Sequence, residues 1–338
     1  MTLSTAFHVL HPGDEFTAIE RDIPRPGPGA VLLRVEACGI CHGDMVIKEG
    51  HWPGIQYPRV PGHEVAGVVE ELGAGVENWN AGDRAGIGWC GDYCGVCTHC
   101  RRGDFMSCTN QKITGLSFDG GYAQYMIAPA RGLARIPDAL SSAEAAPLLC
   151  AGITTFNALR HSGARPGDLV AVQGIGGLGH MAVQYARAFG HQVVAISSGA
   201  DKEALALKLG AHRYLDAGTV NVAQELQKLG GAKVILATAP HAGAMNSVLP
   251  GLGIDGTLLI VAVPHEPLSI PAGLLIGGRK SVRGWASGTP RDSEDTLNFS
   301  VLHGIRPMIE TYPLADVRTA YQRMMTAKAR FRAVLTMV

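Results

Sequence analysis

The run Gly174-Ile-Gly176-Gly177-Leu178-Gly179 limits what this chain can fold into more than any other stretch. It follows Leu169-Val-Ala-Val-Gln173, a continuous apolar segment of the kind that forms a parallel strand buried on both faces. A helix is predicted from Gly177 to Phe189, and a second apolar strand, Val193–Ile196, comes about 20 residues after the loop begins. In this setting the glycines permit a tight turn and let backbone N–H groups approach a pyrophosphate, and the helix N-terminus adds favourable partial charge. A predicted helix from Asp201 to Leu209, with Asp201 as its N-cap, and apolar strands at Val234–Ala237 and Thr257–Ala262 continue the alternation. The sequence therefore predicts an α/β fold with a Rossmann doubly wound parallel sheet.

The chain before this region has another texture. Val31–Ala37 and Val65–Leu72 read as strands separated by turn clusters at Pro24–Gly29, Gly73–Gly75 and Ala81–Arg84. No helix of ordinary length is predicted before position 140. Ser141 and Glu144 then have capping-box spacing at a helix start. After Trp285 come predicted helices at Asp292–His303 and Leu314–Ala327 and a strand at Ala333–Met337. The expected organisation is a β-rich unit over 1–150, a coenzyme-binding sheet over 151–286 and a return to the first unit over 287–338. A length of 338 residues with 46% hydrophobic residues provides material for two cores.

Lys plus Arg equals Asp plus Glu at 29 each, so charge draws the chain toward neither nucleic acid nor an anionic membrane. No apolar run reaches the length of a membrane span, and Met1–Phe7 lacks the pattern of a signal peptide. Eight cysteines in that context read as reduced thiols and metal ligands of a cytoplasmic protein. Four of them, Cys94, Cys97, Cys100 and Cys108, form a compact Cys-x2-Cys-x2-Cys-x7-Cys run. Four thiolates at this spacing can close around one tetrahedral ion, and zinc suits four sulfurs without redox chemistry. A closed site has no open position, so this one is expected to be structural.

Other fragments gain meaning together: Cys38-Gly-Ile-Cys41-His42-Gly43-Asp44, Pro61-Gly-His63-Glu64 and Leu148-Leu-Cys150-Ala-Gly-Ile-Thr154. With the four-cysteine run and the glycine loop, in this order along nearly the whole chain, they resemble the zinc-containing medium-chain alcohol dehydrogenase family. Features of its cinnamyl alcohol dehydrogenase/aldehyde reductase branch mix with those of its microbial tetrameric branch. The resemblance implies a β-rich, GroES-like catalytic domain carrying two zinc ions. Cys41, His63 and Cys150 would be the ligands of a catalytic zinc with an open fourth position. Glu64 would be a carboxylate behind the metal that exchanges onto it, and Asp44 the group that orients the ligand histidine. His42, Thr154, Val263 and Arg332 match coenzyme-contacting positions, as do the loop residues Gly174–Gly179. Trp52 and Trp89 match aromatic positions that narrow the substrate pocket. The implied reaction is hydride transfer between a nicotinamide coenzyme and a small-molecule primary alcohol or aldehyde, in the cleft between the two domains. The segment Ser281–Trp285 resembles the family's dimer edge, so a homodimer or homotetramer is expected.

Two departures carry consequences. The end of the second strand has no acid where NAD-binding chains place one; it reads Ser197-Ser198, followed by Lys202. Two hydroxyls and a lysine suit a 2′-phosphate, so NADP(H) is expected over NAD(H). The family's proton relay begins at a Ser or Thr where this chain has Gly43, and its histidine position falls at Val46. Gly43 is expected to leave extra volume beside the zinc, and proton delivery passes to His51, His42, a ribose hydroxyl or water. Two other classes share part of the pattern, a zinc-independent quinone or enoyl reductase and a non-catalytic nucleotide-binding zinc protein, and metal content separates them.

Overall fold

The computed structural model describes residues 3–337; Met1, Thr2 and Val338, where the reading of the N-terminus begins and the C-terminal return ends, lie outside the described residues. The chain divides into two compact units, Met1–Ile153 with Gly288–Val338, and Thr154–Ser287.

The first unit is built on a seven-stranded sheet with the order Ile309–Pro313, Arg332–Thr336, Ala30–Gly39, Val65–Leu72, Arg84–Ile87, Leu133–Arg135, while Tyr125–Pro129 also pairs with Ala30–Gly39. Ala30–Gly39 is the hub, and register shifts at Leu32/Leu33 and Val35/Ala37 bend it. Its core holds Val31, Leu33, Phe16, Tyr122 and Met126, all without exposed surface. Each of Val31, Leu33, Phe16 and Met126 stabilises the unit by about 1.5–3 kcal/mol. Phe16 meets Tyr122 and Tyr321 edge-on, with ring centroids 5.7 and 5.2 Å apart.

Where the sequence predicts no helix before residue 140, the structure has a short one, His42–Lys48. The expected capping box is present at Ser141 and Glu144, opening the helix Ser142–Pro147. The C-terminal helices Pro290–Leu302 and Val317–Met325 fall where expected, the first capped by Thr289 and Asp292.

The second unit is a six-stranded, wholly parallel sheet. Its order is Arg213–Asp216, Gln192–Ser197, Leu169–Gln173, Ala232–Ala237, Leu252–Ile260, Ser281–Gly284. Numbered within the unit this is 3-2-1-4-5-6, the doubly wound order whose switch point lies between strands 1 and 4. Val170, Ala171 and Val172 are fully buried, as a central parallel strand requires. Asp201 does not cap a helix: it lies inside a 3-10 turn, Ala200–Lys202, and Lys202 stands at the cap of the helix Glu203–Lys208. Gly199, at φ +82°, starts that turn one step earlier than the side-chain pattern indicates. Among the described residues no helix is long and apolar enough to cross a membrane.

Candidate metal centres and coenzyme loop

Strand register assembles the first centre. Ala30–Gly39 pairs antiparallel with Val65–Leu72 through Cys38↔Val65, and with the C-terminal strand through Leu335↔Cys38. Extending both registers past Gly39 sets Cys41 beside Gly62 and Arg332, so His63 and Glu64 arrive at the same place. Cys150 comes from a π-helical turn, Leu148–Gly152, that follows Pro147. Such turns are frequent at functional sites.

Ligand atoms of Cys41, His63, Glu64 and Cys150 lie within 4.8 Å of one another. Cys41 Sγ and Cys150 Sγ are 3.7 Å apart. That is far beyond a disulfide bond, and it matches the edge of a tetrahedron with metal–sulfur bonds of about 2.3 Å. Hydrogen bonding to Cys150 pushes the Cys41 thiol well below its ordinary pKa, with His63 and Arg332 helping and burial opposing.

Asp44 is fully buried and accepts four hydrogen bonds. Oδ1 accepts from His63 Nδ1–H at 2.9 Å and Gly62 N–H at 3.2 Å. Oδ2 accepts from Cys41 N–H and from the Tyr122 hydroxyl, both at 2.9 Å. A carboxylate only accepts, so Nδ1 carries the imidazole proton and Nε2 presents a lone pair. His63 Nε2 is buried and, among the described residues, has no hydrogen-bond partner. Burial alone would lower the His63 pKa, but the charge and hydrogen bond of Asp44, with Cys41, raise it well above the ordinary value. Two sulfurs at tetrahedral spacing and an orphaned, tautomer-fixed imidazole nitrogen fit a zinc ion.

Behind them Glu64 pairs with Arg332, both buried. Burial raises the Glu64 pKa to about 7 against the pull of Arg332, and among the described residues Glu64 Oε2 has no hydrogen-bond partner. Arg332, expected at a pyrophosphate, is placed by the structure against Glu64, with its Nε unpartnered.

The Trp89 ring meets His63 edge-on at 4.9 Å, and Trp52 meets Trp89 at 6.2 Å. This pair crowds Gly43: a Cβ there would lie 2.7 Å from His63 Cε1 and 3.0 Å from Trp89 Cζ3. The expected spare volume beside Gly43 is therefore absent, because the His63 and Trp89 rings occupy it. His42, His51 and Trp52 are exposed, and Val46 is half-buried.

The second centre is local. Ligand atoms of Cys94, Cys97, Cys100 and Cys108 lie within 4.8 Å of one another. Cys94 Sγ is 3.6 Å from Cys108 Sγ and 4.0 Å from Cys100 Sγ. Backbone N–H groups of Cys94, Cys97 and Asn110 donate to sulfurs at 3.3–3.4 Å, as suits thiolates. Backbone hydrogen bonding lowers the Cys97 pKa, while burial raises that of Cys100. The donor set is four sulfurs with no open position, which fits a closed zinc site.

In the second unit the glycine loop lies at the end of Leu169–Gln173 and opens the helix Gly179–Ala188. Among the described residues, the N–H groups of Gly176, Gly177, Leu178 and Gly179 have no hydrogen-bond acceptor. A Cβ on Gly176 would meet nothing within 4 Å, and its φ is not positive. Neither packing nor backbone strain explains that glycine, and the open space beside it fits the close approach of a phosphate. Ser197 ends the second strand, half-buried, and its Oγ accepts from Lys202 Nζ at 3.3 Å. Ser198 is exposed. The neighbouring carboxylate, Asp216, is engaged by the N–H groups of Gly199 and Gly218 at 2.9 Å each. Thr154 is buried, and Val263 is 87% exposed. Sequence reasoning missed Tyr122, which nothing local marks, and Thr238, which its place just past a strand's carboxyl end could have flagged.

Comparison with known proteins agrees with this geometry. Residues 27–138 match the family model of the alcohol dehydrogenase GroES-like domain, and 177–301 that of the zinc-binding dehydrogenases. An alcohol dehydrogenase of Penicillium expansum, patD, is 45% identical over 325 residues, covering 96% of this chain and 95% of its own. A cinnamyl alcohol dehydrogenase of Sorghum bicolor superposes with a TM-score of 0.90 at 32% identity, over 99% of this chain and 98% of its own. A CAD from Helicobacter pylori, solved in complex with NADP(H), gives 0.88 at 29% identity over 99% and 98%.

Proposed function

We propose that this chain, which belongs to the zinc-containing medium-chain dehydrogenase/reductase family, is a zinc-dependent alcohol dehydrogenase/aldehyde reductase that prefers NADP(H). Its substrates are primary alcohols and the corresponding aldehydes. The observation that carries the reading is the buried, partnerless His63 Nε2, with its tautomer fixed by Asp44, grouped with two sulfurs 3.7 Å apart.

When bound, zinc at Cys41, His63 and Cys150 supplies Lewis-acid polarisation of the substrate oxygen, and the nicotinamide supplies or accepts the hydride. The chain's own residues do the rest. Asp44 holds the His63 proton on Nδ1. Glu64 and Arg332 are paired behind the ligands. Trp89 and Trp52 form an aromatic wall beside His63 and hold substrate by apolar contact. Gly43 and Val46 carry no titratable group, so the alcohol proton does not travel through positions 43 and 46. The second zinc, at Cys94, Cys97, Cys100 and Cys108, braces its own loop.

The coenzyme preference rests on the absence of an acid at Ser197-Ser198 and on Lys202 beside them. Assembly into a homodimer or homotetramer is proposed through Ser281–Gly284, the last strand of its sheet, which among the described residues pairs on one side only. Metal analysis together with an aldehyde panel run with NADPH and with NADH tests the reading. Two zinc ions per chain and a higher kcat/KM with NADPH are expected. A metal-free chain that still turns over aldehydes would refute the zinc role, and a clear NADH preference the coenzyme assignment.

A further inference from the structure

We infer that Thr238 is a positioning residue for the coenzyme loop: its hydroxyl locks the Gly174 peptide, and so aims the N–H groups that follow. The inference rests on reading Gly174–Gly179 as the pyrophosphate cradle.

Thr238 is the first residue past the strand Ala232–Ala237, which neighbours Leu169–Gln173. These two strands flank the switch point of the sheet, where the chain runs off in opposite directions and leaves a crevice. Thr238 reaches across that point. Its N–H donates to Gln173 O at 2.9 Å and extends the strand ladder by one rung. Its hydroxyl lies 3.0 Å from Gln173 O and 2.9 Å from Gly174 O, and its single proton is shared between them. Thr238 is 8% exposed, so water competes poorly for these bonds.

The Gly174 carbonyl has little choice of place. Gly174 has φ +95°, and a Cβ on Gly179 would lie 1.8 Å from Gly174 O and 3.0 Å from Thr238 Oγ1. The oxygen is thus wedged between the first residue of the helix and the threonine hydroxyl. Among the described residues no other group donates to it. On the strand side, Gly174 N–H donates to Ile196 O at 2.8 Å. The peptide plane at the loop's entry is held on one side by the second strand and on the other by Thr238. The far side of the loop is pinned separately: the His180 main-chain N–H and ring Nδ1 both reach Gly176 O, at 3.0 and 2.9 Å. Between these anchors lie the N–H groups without acceptors. Removing the hydroxyl leaves the half-buried Gly174 carbonyl without a donor, which favours rotation of that peptide toward solvent. The N–H groups downstream then lose their common direction.

A ligand that uses the cradle should notice, and one that does not should not. Thr238→Val keeps the shape and removes the hydroxyl, while Thr238→Ser keeps the hydroxyl. Binding is measured by titration calorimetry for the dinucleotide the wild type prefers, and for the matching adenosine monophosphate, which lacks a pyrophosphate. For Thr238→Val the dinucleotide Kd and KM should rise about tenfold, with kcat at saturation within about twofold. Its affinity for the monophosphate should stay at the wild-type value, and Thr238→Ser should bind both ligands as the wild type does. If Thr238→Val does not fold, Thr238→Ala takes its place. An unchanged dinucleotide Kd overturns the inference, as does an equal loss for both ligands or a serine variant as impaired as valine. Wild-type protein that binds neither NADPH nor NADH overturns the coenzyme reading itself, and the inference falls with it.

Discussion

Asp44→Asn is the substitution that most directly tests the metal centre, because it keeps the shape and removes one acceptor and the charge. The buried carboxylate holds four donors, two on each oxygen. An asparagine has two ways to lie. With its amide nitrogen toward His63 and Gly62, two N–H groups face one another. His63 must then move its proton to Nε2, where it points at the sulfurs and abolishes the ligand. With the nitrogen toward Cys41 and Tyr122, His63 keeps its tautomer and the Tyr122 hydroxyl can rotate to accept, but the Cys41 N–H is orphaned. The second arrangement costs less. One buried unpaired N–H is worth about 1–3 kcal/mol, and the remaining bonds lose their charge assistance. The sum is about 3 kcal/mol, or a fall in Tm of roughly 6–12 °C for a unit of this size.

Zinc affinity at the Cys41–His63–Cys150 centre should fall by about 10–100-fold, the usual cost of removing a histidine's carboxylate partner. Competition with a chromogenic chelator measures that affinity, and differential scanning calorimetry measures the melting temperature. Tyr122→Phe is the control: it removes one donor, leaves Asp44 charged, and should shift zinc affinity less than about threefold. An asparagine variant that binds zinc as tightly as the wild type and melts at the same temperature would refute the claim that the Asp44 charge fixes His63.

Cys97→Ala should lose one zinc per chain and lower the Tm by roughly 5–10 °C while leaving the other centre loaded, since the lobe has little apolar core of its own; an unchanged Tm and two bound zinc ions would refute its structural role. Lys202→Ala should reduce the ratio of kcat/KM for NADPH over NADH by about tenfold, the value of one charge-assisted bond to a phosphate, and steady-state kinetics with both coenzymes reads it. Glu310 gives a pH-dependent prediction. Its carboxylate is pulled down to about 2 chiefly by Arg323, which binds both oxygens at 2.8 and 2.9 Å, with the Tyr312 hydroxyl and Arg330 N–H adding. A depressed folded pKa stabilises above the unfolded value of about 4.3, and that contribution is lost as pH falls from there toward the folded value. After solvent screening it amounts to about 1 kcal/mol, so the difference in urea midpoint between wild type and Glu310→Gln should be present at neutral pH and close in acid. A difference that does not change with pH would contradict the assignment.

What could be read in the sequence follows from distance along the chain. The four-cysteine lobe is legible because its sulfurs lie close together in sequence, held by local backbone N–H groups. The glycine loop was legible for the same reason: strand, turn and helix are adjacent. Cys41 and Cys150 are 109 residues apart, and nothing in their spacing joins them. Only the resemblance groups them. The physical link is the register of Ala30–Gly39 with two other strands, which residue pattern does not state. His42–Lys48 was missed because seven residues are too few to show a helical period. Its N-terminal signal was in view all the same, since Asp44 accepts from the cap residue's N–H as a capping acid does. The resemblance gives that acid to the metal site instead, and in the structure the one carboxylate bonds both the cap residue and His63. The Oδ2 bond starts the helix at Cys41, and the Oδ1 bond sets the tautomer of His63. Helix start and ligand geometry are thus coupled through a single side chain, so removing the metal should loosen His42–Lys48 before it loosens the sheet. Hydrogen exchange on the chelated protein should show that order.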